Sequence, residues 1–166
     1  RDLLANRQQA VESAKTAIAN GAKIISFAEL AFDPFYPQDH ASERTLEFAE
    51  SIPGPTTDLF VELAHEHQVV FILNVFERDG DETFDSSPVI DATGEILGVT
   101  RMIHITEYEH FHEQGYYKPG DRGVHVYHTR HAKIGVAICY DRHFPEYMRR
   151  LALEDAELVV IPQAGA

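Results

Sequence analysis

The segment KIGVAICYDRHFPE, residues 133–146, contains the only cysteine of the chain, Cys139. The apolar residues before Cys139 predict a buried strand, and Pro145 marks the beginning of a helix a few residues after it. A thiol near a helix N-terminus experiences partial positive charge, which favours the nucleophilic thiolate. Cys139 is therefore a candidate nucleophile, and a small buried hydrophobic residue is the alternative interpretation of a lone cysteine.

Glu29 has the same relation to its own strand. The segment KIISFAEL is apolar as far as Ala28, and the next residue is this carboxylate. A carboxylate at the end of a buried strand can act as a general base. The alternative interpretation is an ordinary solvated carboxylate in a loop.

Periodic segments predict the elements that must position these two side chains. Helices are predicted over residues 3–18, 56–67 and 145–156. Strands are predicted over residues 23–30, 68–78, 86–91, 95–105, 123–129, 133–141 and 157–164, and loops over 31–40 and 106–121. Because strands and helices alternate, with hairpins in the middle, the pattern favours an α/β sandwich of mixed sheets.

The composition excludes several classes of protein. The 166 residues are typical of one domain, and the formal net charge of −13 argues against nucleic-acid binding. No apolar run approaches the length of a membrane span, so no membrane partner is expected. A single cysteine cannot form an internal disulfide, and we therefore expect a cytoplasmic protein. Because the chain begins inside a predicted helix and stops just after a strand, we also expect a fragment of a longer chain.

The ten histidines raise the question of a metal site. They include two groups that are close in sequence: His104, His110 and His112, and His125, His128 and His131. Metal sites usually show a recognisable ligand spacing, and neither group has one. We therefore predict solvated loop histidines and no metal.

Three segments together resemble those of the nitrilase superfamily of carbon–nitrogen hydrolases. They are FAEL around Glu29, HEQGYYKPGD around Glu113 and GVAICYDRHFPE around Cys139, in the same order and at similar spacing. The segment SSPVIDATGEILGVTR resembles the central hairpin of that family. The likeness is greatest to the N-carbamoyl amidase and β-ureidopropionase-like branches. It implies an α/β fold, the four-layer αββα sandwich, with residues 1–166 as part of one such domain, incomplete at both ends.

The resemblance also implies roles for particular residues. Cys139 would be the nucleophile, Glu29 the general base, and Glu113 a second glutamate that orients the site. The backbone N–H of Tyr140 would donate to the oxyanion. A small amide or N-carbamoyl compound would be hydrolysed without a cofactor through a cysteine thioester, releasing ammonia or an amine. Members of the family usually assemble, so a homo-oligomer is expected.

One position departs from the family pattern. The family has a lysine where this chain has Met102, in the segment RMIH. The alternative function is therefore a binding protein of the same fold whose activity is altered or lost. His104 is predicted to contact substrate, and, if this segment is a strand, to point the same way as Met102. The segment CYDRHFPE resembles that of the N-carbamoyl-amino-acid amidases of the family, which implies that Arg142 binds a substrate carboxylate. An ion pair of Arg142 with a neighbouring acid, Asp141 or Glu146, is the alternative.

Overall fold

The computed structural model describes residues 2–164, which form four α-helices and ten β-strands. The helices are α1 Leu3–Ala19, α2 Glu43–Leu46, α3 Pro55–His67 and α4 Pro145–Leu153. The strands are β1 Ile24–Ser26, β2 Val70–Ile72, β3 Val75–Asp79, β4 Glu82–Ile90, β5 Ile96–Arg101, β6 Glu107–Tyr108, β7 Phe111–His112, β8 Val126–His128, β9 Lys133–Val136 and β10 Leu158–Val160. Short 3-10 helices cover Tyr36–Gln38, Glu113–Gly115 and Cys139–His143.

The first five strands form one mixed sheet. β1 runs parallel to β2, whereas β4 runs antiparallel to β2, β3 and β5. β2 and β3 pair with β4 in a single register, so they are two segments of one strand that is interrupted at Leu73 and Asn74. The continuous strand predicted over residues 68–78 is wrong at this point. The reason is that the Asn74 side chain is used for tertiary hydrogen bonds, described below.

A second sheet has the strand order β8–β9–β10. β8 and β9 are antiparallel, and β10 is parallel to β9. Two parallel neighbours need a crossover connection, and α4 provides it. β6 and β7 form a separate hairpin, which lies between β5 and β8 in the sequence.

Alternating side chains along β2 show how the layers stack. Val70 and Ile72 belong to a buried cluster with Ile134 and Val136 of β9, whereas Phe71 packs in a cluster with residues of α1 and α3. Successive strand residues point to opposite faces. The two sheets therefore face each other, and α1 and α3 cover the outer face of the first.

Helix α4 covers the outer face of the second sheet, where Leu151 packs with Ala137 and Tyr147. A Cβ atom at Gly135 of β9 would lie 2.8–3.2 Å from side-chain atoms of Leu151, so glycine allows this close approach. The layers thus follow the order helix, sheet, sheet, helix. This confirms the predicted four-layer αββα sandwich.

Three local differences from the predicted elements affect the site. The segment 106–121, predicted as a loop, contains the hairpin β6–β7 and the 3-10 helix that begins at Glu113. The strand predicted over 133–141 ends at Val136, and Cys139 begins a 3-10 helix. β5 ends at Arg101, so Met102 and His104 are not in a strand. Among residues 2–164, no helix combines the length and the apolar character that a membrane span requires.

Candidate active site

Glu29 lies in the turn that follows β1 and is only 4% exposed. The next residue, Leu30, has a positive φ of 50°, and its N–H donates to Oδ1 of Asn74 at 2.8 Å. The N–H of Ala164 donates to Oε2 of Glu29 at 2.8 Å. These contacts with the interrupted strand and with the C-terminal segment turn the carboxylate inward, so the solvated loop carboxylate considered from the sequence is not what the structure contains.

Cys139 lies three residues beyond Val136, the last residue of β9, and is 7% exposed. Its N–H donates to the carbonyl of Pro162 at 2.8 Å, next to β10. Its φ of 43° is in the left-handed region, which is rare for a residue with a Cβ and is often found at functional sites. The sharp turn from strand to 3-10 helix directs the thiol toward the end of the first sheet.

Glu113 begins the 3-10 helix after β7 and is fully buried. Thr106 donates to its Oε2 twice, from the backbone N–H at 3.1 Å and from Oγ1 at 2.7 Å. The sulfur of Cys139 and one carboxylate oxygen each of Glu29 and Glu113 lie within 4.8 Å of one another. The structure therefore brings together the three residues that the sequence analysis proposed as catalytic.

A third acid, Asp85 of β4, lies in the same buried group. Asn74 links it to the turn after Glu29, since Nδ2 of Asn74 donates to Oδ1 of Asp85 at 2.6 Å and to Ser87. One oxygen of each acid receives no hydrogen bond from the described residues: Oε1 of Glu29, Oδ2 of Asp85 and Oε1 of Glu113. Three buried acids thus converge without a lysine among them.

Burial and mutual repulsion set the protonation of this group. Burial raises the pKa of Asp85 well above its usual range, and the negative charge of Glu29 adds to the shift. Burial likewise raises the pKa of Glu113 to about 7, although the hydrogen bonds from Thr106 oppose the shift. Burial and the charges of Glu29 and Glu113 also raise the pKa of the Cys139 thiol. These shifts favour a protonated thiol and a protonated acid in the resting site.

Met102 is completely buried and belongs to the same hydrophobic cluster as Cys139. Its N–H donates to the carbonyl of Asp85 at 2.9 Å, and its carbonyl accepts from the N–H of Gly120 at 2.8 Å. A Cβ atom at Gly120 would lie 2.4 Å from the carbonyl oxygen of Arg101, so only glycine allows this contact. A thioether cannot donate a hydrogen bond, so the side chain of Met102 supplies neither charge nor donor.

A cation that does lie near the thiol is Arg142. Its Nη1 lies 4.0 Å from the Cys139 sulfur and donates to the Cys139 carbonyl oxygen at 2.6 Å. The predicted alternative, an ion pair with Asp141 or Glu146, is not formed among the described residues. Arg142 is partly exposed, so its remaining N–H groups are accessible to a bound molecule.

The strand predicted over 95–105 is wrong beyond Arg101, so the condition under which His104 was predicted to point the same way as Met102 is not met. Because β5 ends at Arg101, the two residues do not alternate as they would in a strand. The His104 ring stacks on Phe144 with centroids 3.4 Å apart, and its Nδ1 lies 2.6 Å from Oδ1 of Asp141. The same carboxylate accepts from the backbone N–H of His104 at 3.0 Å. His104 and Asp141 thus join the segment after β5 to the helix that begins at Cys139.

The backbone N–H of Tyr140 remains available at the second position of that 3-10 helix. The first intrahelical donor is Asp141, whose N–H donates to the Ile138 carbonyl at 2.9 Å, and the N–H groups before it have no partner within the helix. The N–H of Cys139 is used by Pro162. The Tyr140 N–H is therefore free of any partner among the described residues.

The sequence analysis missed four residues that build the site: Asn74, Asp85, Thr106 and Asp141. An amide in the middle of a predicted strand was the available signal for Asn74. Asp85 precedes the strand predicted over 86–91 and lies in the polar segment ETFDSS, so it had no such signal. Thr106 and Asp141 gave no pattern of their own. Their role depends on which backbone groups the fold places next to them.

Two groups of described residues offer three or more possible metal ligands. One is the triad of Cys139, Glu29 and Glu113, in which the thiol would have to lose its proton to bind a metal. The other contains His40, Glu107 and His112 and lies outside the triad. His110 and His112, which the sequence analysis placed in a loop, lie in the β6–β7 turn and in β7, and of these two His112 joins this second group.

Residues 1–165 match the family model of carbon–nitrogen hydrolases. The chain is 39% identical over 149 residues to a citrullinase of Francisella tularensis, covering 89% of this chain and 52% of that protein. It is 38% identical over 164 residues to an N-carbamoylputrescine amidase of Solanum lycopersicum, covering 98% of this chain and 54% of that protein. The chain therefore spans about half the length of the curated relatives that it matches.

Solved structures show the same fold. A carbon–nitrogen hydrolase from Helicobacter pylori G27 superposes with a TM-score of 0.90 at 27% identity, covering 98% of this chain and 56% of that one. Nit3 of Saccharomyces cerevisiae, a member of the nitrilase superfamily, superposes with a TM-score of 0.84 at 23% identity, covering 99% of this chain and 60% of that one. At that level of identity the second comparison concerns the fold alone.

Proposed function

Because the chain belongs to the carbon–nitrogen hydrolase family, we propose that the full-length protein hydrolyses a non-peptide carbon–nitrogen bond with Cys139 as nucleophile. The substrate is a small linear amide or N-carbamoyl compound. The observation that carries the proposal is the approach of the Cys139 sulfur to one oxygen of Glu29 and one of Glu113, all within 4.8 Å. Amide cleavage needs a nucleophile and a proton shuttle that lie close to each other.

Glu29 moves the proton in each half of the reaction. It accepts the thiol proton as sulfur bonds to the carbonyl carbon, and returns it to the leaving nitrogen as the carbon–nitrogen bond breaks. Ammonia or an amine departs and a thioester remains. Glu29 then takes a proton from water, which attacks the thioester, and the thiol is re-formed as the acid product leaves. Because burial raises the thiol pKa, this transfer accompanies attack rather than preceding it.

Two donors are placed to stabilise the oxyanion of the tetrahedral intermediate. One is the backbone N–H of Tyr140, which has no partner among the described residues. The other is the guanidinium of Arg142, 4.0 Å from the sulfur. We assign to Arg142 the positive charge that Met102 does not supply. Arg142 also remains the candidate to bind a substrate carboxylate, and His104 the candidate to contact substrate from the segment after β5.

The names of the relatives support the choice of substrate class. Citrullinase and N-carbamoylputrescine amidase are both named for compounds that carry a terminal carbamoyl group. The buried acids around Cys139 favour a neutral reacting group over an anionic one, because an anion would be repelled. An N-carbamoyl group or a primary amide meets this requirement.

The test is ammonia release by the full-length protein from a panel of carbamoyl compounds, primary amides and nitriles. We expect turnover of one class, its loss in Cys139→Ala, and a fall of about 100-fold or more in Glu29→Gln. Glu66→Gln serves as the matched control, because Glu66 is an exposed glutamate of α3 with a side chain 72% exposed. Turnover at the wild-type level in Cys139→Ala would move the chemistry to another residue.

The second candidate function is a binding protein of the same fold, which the apolar Met102 favours. The two functions are distinguished by whether a thioester forms at Cys139. A hydrolase forms a covalent adduct at Cys139, which acid quenching traps for mass spectrometry, or releases ammonia, whereas a binding protein retains the intact ligand. Saturable binding of a carbamoyl compound with neither adduct nor ammonia would favour this second function.

A further inference from the structure

His40, Glu107 and His112 form a cluster outside the triad. Glu107 and His112 face each other across the hairpin β6–β7, and His40 comes from the segment after the 3-10 helix Tyr36–Gln38. One ligand atom from each residue lies within 4.8 Å of the other two. The sequence separates His40 from the hairpin by more than sixty residues, so only the fold brings the three together.

The geometry of the cluster is that of a prepared ligand set. Nδ1 of His112 lies 2.8 Å from Oε1 of Glu107, and the rings of His40 and His112 have centroids 3.8 Å apart. His40 has no hydrogen-bond partner among the described residues, so both its ring nitrogens are available. Phe35 and Phe111, from the same two segments, pack with centroids 5.2 Å apart and hold the segments together.

We propose that His40, Glu107 and His112 bind a divalent transition-metal ion of the Zn²⁺ type. Two imidazoles and one carboxylate suit Zn²⁺ and its first-row neighbours, whereas Mg²⁺ and Ca²⁺ prefer sets made only of oxygen. Three protein ligands leave a coordination position for water. His40 and Glu107 are exposed and His112 is partly exposed, so an ion can enter from solvent. The net charge of −13 favours any cation at the surface.

Because of where the cluster lies, a bound ion would also affect the candidate active site. Thr106 immediately precedes Glu107, and Glu113 immediately follows His112. Thr106 and Glu113 are hydrogen-bonded to each other at the base of the hairpin. An ion bound by the hairpin and by His40 therefore restrains the segment that places Glu113 beside Cys139. This consequence rests on the proposed function, but binding of the ion does not.

Binding is tested with Co²⁺ and Zn²⁺ added to the metal-free full-length protein, by calorimetry and by the visible absorption of Co²⁺. We expect one equivalent to bind at the cluster. Loss of a supporting residue around a metal typically weakens binding by about 10- to 100-fold, so loss of a ligand in His40→Gln or His112→Gln should weaken it by at least about tenfold. The control is His110→Asn, which removes an exposed histidine of the same turn and tolerates its positive φ of 66°.

The triad is a competing ligand set, so the titration is repeated in Cys139→Ala. Our proposal requires that this variant bind the ion as tightly as the wild type. Binding that is lost in Cys139→Ala and retained in His112→Gln would overturn it, as would the absence of stoichiometric binding. If His112→Gln fails to fold, the exposed His40 still provides the decisive variant. Because the readout is metal binding and not turnover, failure here is distinguishable from failure of the proposed function.

Discussion

Replacing Met102 by lysine tests the electrostatics of the proposed site. Met102 is fully buried, and its backbone is hydrogen-bonded between Asp85 and Gly120. The new ammonium would enter a region in which three acids, Glu29, Asp85 and Glu113, each have an oxygen without a donor. It would therefore find partners without rearrangement of the backbone, and buried charge would be neutralised instead of added.

The expected magnitude depends on how close the new ammonium lies to the acids. An opposite charge within about 4–6 Å lowers the pKa of an acid by about 1–3 units. We therefore expect the pKa of Glu113, now about 7, to fall toward its ordinary range, and the pKa of the Cys139 thiol to fall with it. One additional oxyanion donor changes a rate by about 100- to 1000-fold, which sets the largest gain expected for Met102→Lys.

The assay is the pH dependence of Cys139 alkylation by iodoacetamide, together with steady-state ammonia release, in the full-length protein. Met102→Lys should shift the alkylation profile to lower pH, because a lower thiol pKa gives more thiolate at each pH. Met102→Gln is the matched control, since it has similar length and a donor but no charge. If the lysine variant shows neither the shift nor a faster rate, Met102 does not occupy the place of the family's lysine.

Three further predictions concern the charges around the site. Arg142→Met should raise the thiol pKa and lower turnover by about 100-fold or more, and Met102→Lys should partly restore both; an unchanged alkylation profile would contradict the role given to Arg142. The free energy of unfolding of the wild type should fall by about 3 kcal/mol as pH rises from the ordinary Glu113 pKa of 4.5 to about 7, because the native state retains a proton that the unfolded chain loses. The free energy of unfolding of Glu113→Gln, measured by chemical denaturation across this pH range, should not show this fall. If it falls with pH as steeply as that of the wild type, the raised pKa does not belong to Glu113. Arg101→Met should lower the free energy of unfolding by about 3–5 kcal/mol, because it leaves the buried Glu77 without its 2.6 Å partner. Arg122→Met, which removes a side chain 39% exposed, should cost less than about 1 kcal/mol, and equal costs would contradict this reasoning.

Local sequence pattern was sufficient to predict where a residue lies when that position depends only on the residue's own segment. Glu29 and Cys139 each follow an apolar run, and an apolar run of that length predicts a buried strand. A residue just beyond a buried strand then lies where the strands of the sheet end. Glu113 was identified only through a motif, because the polar segment around it has no period from which a position could be predicted.

The limits of local pattern appear in the strand that contains Asn74. Its apolar neighbours predict an unbroken strand, yet the backbone leaves the ladder there because the side chain bonds Leu30 on one side and Asp85 on the other. The same holds for the segment after Arg101. It has the composition of a strand, but the carboxylate of Asp141 accepts its N–H groups and ends the pairing.

The sequence by itself determined an α/β sandwich and the candidate nucleophile and base, because these follow from short-range periodicity, and the resemblance of its motifs to a known family implied the four-layer αββα arrangement. Only the tertiary structure decided that Asp85 joins the acids, that Arg142 faces the thiol, and that His40 meets His112. Each of these contacts joins side chains whose direction depends on loop paths, and a loop's path is set by which distant backbone groups need a hydrogen-bond partner.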